Sequence, residues 1–144
     1  MDMNVGLEEL LPLQCDVCGR DLVRTITDEC GAIAIYLRRA VVGKAPIEEI
    51  LCVCKGACDA VTRGGALERG FVGGWEDLLE LTLPTLYLRF VVRAMQRLCA
   101  EGYTRTALQK EQTLLAAFAP RVFRECSAEE RQLAHRLLEG DLPF

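Results

Sequence analysis

The chain has 144 residues, 51% of them hydrophobic, and a formal net charge of −4. That length buries the core of one domain or one and a half, and the mild acidity excludes a global field that would draw the protein to nucleic acid or to an anionic membrane. No apolar run approaches the roughly 18 residues of a membrane span, and the acidic start from Met1 to Glu9 lacks the basic residues of a secretory signal, so a cytoplasmic location without membrane contact is expected.

In a reducing compartment the eight cysteines read as metal ligands or buried apolar residues rather than disulfides. After a short acidic and apolar lead-in from Leu7 to Leu13, which Pro12 keeps from running on as a helix, comes Cys15-Asp16-Val17-Cys18-Gly19. A glycine directly after the second cysteine suits a backbone that turns with positive φ and points its amides at sulfur. Val23 to Thr27 is rich in β-branched residues, Asp28 to Gly31 reads as a turn, and Ala32 to Leu37 reads as a strand. Arg38 to Pro46 is a polar connection, and Ile47 to Cys54 is a second β-like run. The two runs make a hairpin that returns Cys52-Val53-Cys54-Lys55-Gly56-Ala57-Cys58 to the first cysteine pair.

Beyond Asp59, the glycines at 64, 65 and 70 limit a helix to about two turns, and with Gly73-Gly74 they read as a mobile connector. A boundary near residue 70 divides a β and metal-binding part, 1–70, from a helical part, 71–144, the two sharing one core. The helical part predicts about four helices. Trp75 to Leu81 is short. Pro84 to Glu101, stopped by Gly102, carries a broad apolar face of Tyr87, Leu88, Val91, Val92, Met95, Leu98 and Cys99 and reads as the central helix. Thr106 and Gln109 cap a third that ends at Pro120, and Ser127 and Glu130 cap a fourth that stops at Gly140. The expected class is α+β.

Cys15, Cys18, Cys54 and Cys58 form C-x2-C and C-x3-C pairs separated by about 35 residues, the spacing by which two chain segments present four thiolates to one tetrahedral ion. Structural zinc is the expected cofactor; an iron-sulfur cluster and metal-free buried cysteines are the alternatives. Cys52 lies two residues before Cys54 and so on the same face of a strand, which makes it the alternative third ligand. Four thiolates close the shell and leave no position for water, which implies stability rather than catalysis.

This layout resembles that of treble-clef zinc fingers and of the looser zinc-ribbon class, over roughly the first 60 residues. In a treble clef the second pair sits at the end of a hairpin and in the first turn of a helix. The knuckle, with Lys55-Gly56-Ala57-Cys58-Asp59, also resembles small uncharacterised zinc-containing proteins of bacteria and their mobile elements. Treble-clef nucleases of the His-Asn-His type need a histidine near the hairpin; the segment from Cys15 to Cys58 has none, and His135 is the single histidine of the chain.

Two charged features remain. Arg89, Arg93 and Arg97 form one stripe at four-residue spacing, able to bind phosphates or acidic partners with Lys55, or to lie paired with carboxylates. Glu111 falls inside the apolar stripe of its helix, where it requires a partner such as one of those arginines. No phosphate-binding glycine loop, serine elbow or two-histidine metal motif is present. The expected function is a non-enzymatic, zinc-stabilised module that binds another protein or a second copy of itself. The alternative is a nucleic-acid-binding accessory using Lys55, Arg89, Arg93 and Arg97.

Overall fold

The computed structural model describes residues 12–139. Leu7 to Leu11 of the lead-in and the Gly140 stop therefore lie outside the described residues, while Leu13 is buried. The fold is α+β, a small antiparallel sheet covered by helices, with the cysteine cluster in its N-terminal part. Among the described residues no helix is long and apolar enough to cross a membrane.

The knuckle leads into α1, Leu22–Thr25, a single turn where the β-branched residues predict extended chain. The Asp21 carboxylate decides this locally: it accepts the amides of Val23 and Arg24, both at 3.0 Å, as a helix cap does. The expected hairpin is present as β1, Ala32–Arg39, and β2, Glu49–Cys54, in the register Ala32 with Cys54 and Ala34 with Cys52.

From Cys54 the chain turns through Gly56, φ 94°, into α2, Ala57–Glu68, three turns long where the glycines predict two. Gly64 and Gly65 lie inside it, held by what flanks them: Arg63 pairs with Asp59 one turn back, and Thr62 and Ala66 are buried. Gly70, φ 81°, ends the helix in the left-handed region and donates its amide to Leu67 O at 3.1 Å.

The expected mobile connector is instead a strand edge. β3, Phe71–Val72, and β4, Trp75–Asp77, both pair antiparallel with β1 in one continuous register, so the expected helix from Trp75 begins as a strand. Only Leu78–Thr82 is helical there, a 3-10 turn capped by the Asp77 carboxylate on the Leu79 amide at 3.0 Å. Gly73 explains the difference: a Cβ on it would lie 1.6 Å from the Tyr36 carbonyl oxygen, so only glycine lets the chain run this close to β1.

With β1 central, alternation sends Ala34, Tyr36, Cys52 and Glu76 to one face and Ile33, Ile35, Leu37 and Val53 to the other. The second face lies against Ala66 and Leu67 of α2. The first carries α3, Pro84–Ala100, and α4, Arg105–Glu125. α5, Ala128–Glu139, follows, with Ser127 Oγ accepting the Glu130 amide at 3.1 Å as expected.

α4 starts earlier and ends later than its pattern indicates. Its cap is Thr104, tied by its amide to Ile47 O at 2.9 Å, rather than Thr106. It continues through Pro120 because Pro120 and Phe123 are both buried and Arg121 is anchored to α1. Tertiary packing here outweighs the roughly 3 kcal/mol that a proline costs inside a helix.

The largest departure concerns α3, whose expected apolar face points mostly outward, with Tyr87 alone of it packed against the core and Val91 half-buried. Leu88 is 64% and Met95 61% exposed, Val92, Leu98 and Cys99 are exposed with them, and the residues turned inward are Phe90, Ala94, Arg93 and Arg97. Cys99 is thus a surface thiol and not a core residue.

Candidate metal centre

The two cysteine pairs are positioned by three different elements. In the knuckle, Cys15 N donates to Arg20 O at 2.8 Å and Gly19 N to Cys15 O at 3.0 Å, a tight turn that closes because Gly19 takes φ 79°. This turns the amides of Val17 and Cys18 towards Cys15 Sγ, each at 3.4 Å. Cys54 is the last residue of β2, and Gly56 then places Cys58 in the first turn of α2.

The four sulfurs of Cys15, Cys18, Cys54 and Cys58 all lie within 4.8 Å of one another. Cys18 Sγ and Cys54 Sγ are 3.8 Å apart, too far for a disulfide and close to the edge of about 3.8 Å of a tetrahedron with 2.3 Å metal–sulfur bonds. Cys15 and Cys54 are buried, Cys58 is half-buried and Cys18 is exposed, so the centre sits at the edge of the core. The geometry and the all-sulfur donor set fit a single, tetrahedrally held metal ion.

Electrostatics agree. Burial pushes the Cys15 thiol up, but hydrogen bonds from the amides of Cys18, Cys54 and Val17 outweigh it and bring the group down to about 6. Burial raises Cys54 to about 12, with the neighbouring thiols of Cys18 and Cys15 adding to it, and Cys58 shifts the same way. Sulfurs crowded this closely repel as thiolates until a cation joins them.

Cys52, the alternative third ligand, stands outside the cluster. It is completely buried, and burial raises its thiol to about 12. Its backbone is what contributes: Asp16 N donates to Cys52 O at 2.8 Å and Cys52 N donates to Asp16 Oδ2 at 2.7 Å, clamping the knuckle to the edge of β2. Lys110 of α4 completes the clamp, with Nζ 3.2 Å from Asp16 Oδ2. Asp16 lies between the first two cysteines, yet only the cross-strand pairing reveals this role, and Lys110 carries no sequence signal at all.

The Lys55 ammonium pairs with Asp77 Oδ2 at 2.7 Å. The arginine stripe of α3 divides. Arg89 is exposed, 3.7 Å from Glu80. Arg93 holds Glu76 at 2.6 Å and also pairs with Glu80, while Arg97 holds Glu76 at 2.9 Å and Glu111 at 3.4 Å and stacks 4.1 Å over the Tyr36 ring. Glu111 is 3% exposed and accepts from the Tyr36 hydroxyl at 3.1 Å, so the carboxylate in the apolar stripe does meet an arginine. His135 is exposed, with its ring edge-on to Phe123 at 5.2 Å.

Comparison with known proteins finds no matching family model and neither a curated protein nor a solved structure similar to this chain.

Proposed function

We propose that the chain is a zinc-stabilised, non-enzymatic interaction module whose metal centre is of the treble-clef kind. The observation that carries this is the convergence of four thiols from a knuckle, a hairpin end and the first turn of a helix within 4.8 Å. Four thiolates around zinc leave no coordination position for water or substrate, so the ion's task is to hold the knuckle, the hairpin and α2 together.

The interaction surface is the outward stripe of α3. Leu88, Val92, Met95 and Cys99 are exposed and recur at alternating four and three residues, the spacing of a helix that packs along another helix. The arginines of α3 are occupied by Glu76, Glu80 and Glu111 or lie off this stripe, so the stripe carries no charge. An uncharged stripe of this spacing is complementary to itself, which favours a second copy as the partner.

Light scattering on the eluting protein tests this reading. The expected mass is that of two chains, falling to one in Met95→Glu with the melting curve retained. A wild type that stays monomeric at concentrations of about 100 µM contradicts the self-pairing.

A further inference from the structure

A cluster of weakly compensated positive charge lies away from α3. Arg24, Arg121 and Arg124, together with Val23, line an open hollow of about 400 Å3 between α1 and the end of α4, and no carboxylate lines it. Arg121 Nη1 donates to Val23 O at 2.7 Å and to Ile26 O at 3.2 Å, which fixes the guanidinium. Its Nε and Nη2 meet no protein acceptor among the described residues.

Arg124, one turn further along α4 on the same face, is exposed and has no carboxylate partner among the described residues. Among the described residues Arg24 pairs with Asp21 Oδ2, at 3.9 Å, and the other oxygen of that carboxylate is already occupied in capping α1. Burial and then the charge of Arg124 hold Arg121 below the usual arginine range, with Glu125 acting weakly against them.

We propose that this hollow binds a phosphate group carried by a small phosphomonoester. Three guanidinium forks around one acid-free space suit the oxygens of a single dianion, where each N–H bond to oxygen is charge-assisted on both sides. The net charge of −4 opposes a long polyanion, which favours a small ligand over nucleic acid. Arg121 also lines a neighbouring hollow of about 420 Å3 with Leu79, Leu83 and Leu86, where the organic part of the ester finds apolar wall. That second hollow contains Asp28, Asp77 and Glu80, so the phosphate itself belongs in the first. None of these residues belongs to the cysteine cluster, and the proposal stands apart from the metal centre.

Calorimetric titration of inorganic phosphate and of glycerol phosphate into the intact chain, at fixed ionic strength, tests the proposal. Both are expected to bind saturably at one site per chain, about tenfold more weakly in Arg124→Ala, the loss of one charge-assisted contact. Among the described residues Arg124 makes no hydrogen bond or ion pair, so that variant is expected to keep the wild-type melting curve; Arg24→Ala serves as a second. Binding that neither substitution weakens overturns the proposal, as does an equal response to sodium chloride, which marks general screening. A chain that takes phosphate and rejects the ester overturns the assignment to an ester. Retention of a single-stranded oligonucleotide through the same arginines, with neither small phosphate bound, reassigns the surface to a polyanion.

Discussion

Gly73 and Glu111 set the sharpest constraints at the residue scale. A methyl group at Gly73 has to displace the Tyr36 backbone, since its Cβ would lie 1.6 Å from the carbonyl oxygen. Gly73→Ala is therefore expected to lower stability by about 3 kcal/mol or more, measured by urea unfolding, through loss of the β1 to β4 pairing. Glu111 gives a pH signature. Burial raises its pKa above the ordinary 4.5, while the Tyr36 hydroxyl and the Arg97 guanidinium pull it partly back. With Glu76 nearby adding to the rise, the folded chain keeps this proton to higher pH than the unfolded chain does. Stability is then lost as pH rises from about 4.5 through the folded value, because the unfolded state ionises first. Glu111→Gln lacks that loss, so wild type is expected to weaken relative to the variant as pH rises above about 4.5 in paired urea titrations. A difference that is flat, or that grows the other way, contradicts the assignment. The four clustered cysteines were legible at this scale because the spacing within each pair is local. Asp16 was not, since its role exists only once β2 brings Cys52 alongside the knuckle.

Among elements, the hairpin, α3 and α5 follow from the sequence, since alternation and caps act within a few residues. α2, β4 and α4 depart from it for one reason: a distant contact decides each. Buried Thr62 and Ala66 carry α2 across its glycines, the approach of Gly73 to β1 converts a helical pattern at Trp75 into a strand, and buried Pro120 and Phe123 carry α4 past its proline. α3 shows the limit most clearly. Its apolar and basic stripes were both readable, but nothing in the helix says which faces the sheet; Glu76, Glu80 and Glu111 decide it by drawing Arg93 and Arg97 inward. α2 also yields a prediction opposite in sign to that for Gly73. A Cβ at Gly64 meets no atom within 4 Å, so Gly64→Ala is expected to raise stability by about 0.5–1 kcal/mol, seen as a higher urea midpoint at unchanged slope.

For the whole molecule, one cluster of buried side chains runs from Leu13 through the sheet to Phe118, and the cysteines sit at its edge. Three links tie that edge to the rest: Asp16 to β2, Lys110 to Asp16, and Cys58 into α2. Structural zinc is worth on the order of 10–16 kcal/mol of apparent binding energy, comparable with the whole stability of a domain, so the edge and the core are expected to fold together. X-ray absorption with elemental analysis, on protein purified without chelator, measures this most directly. The account predicts one zinc per chain, surrounded by sulfur alone at about 2.3 Å, and loss of both the metal and the folded state in Cys15→Ser. A folded wild-type chain that carries no metal, or a Cys15→Ser chain as stable as wild type, would contradict it.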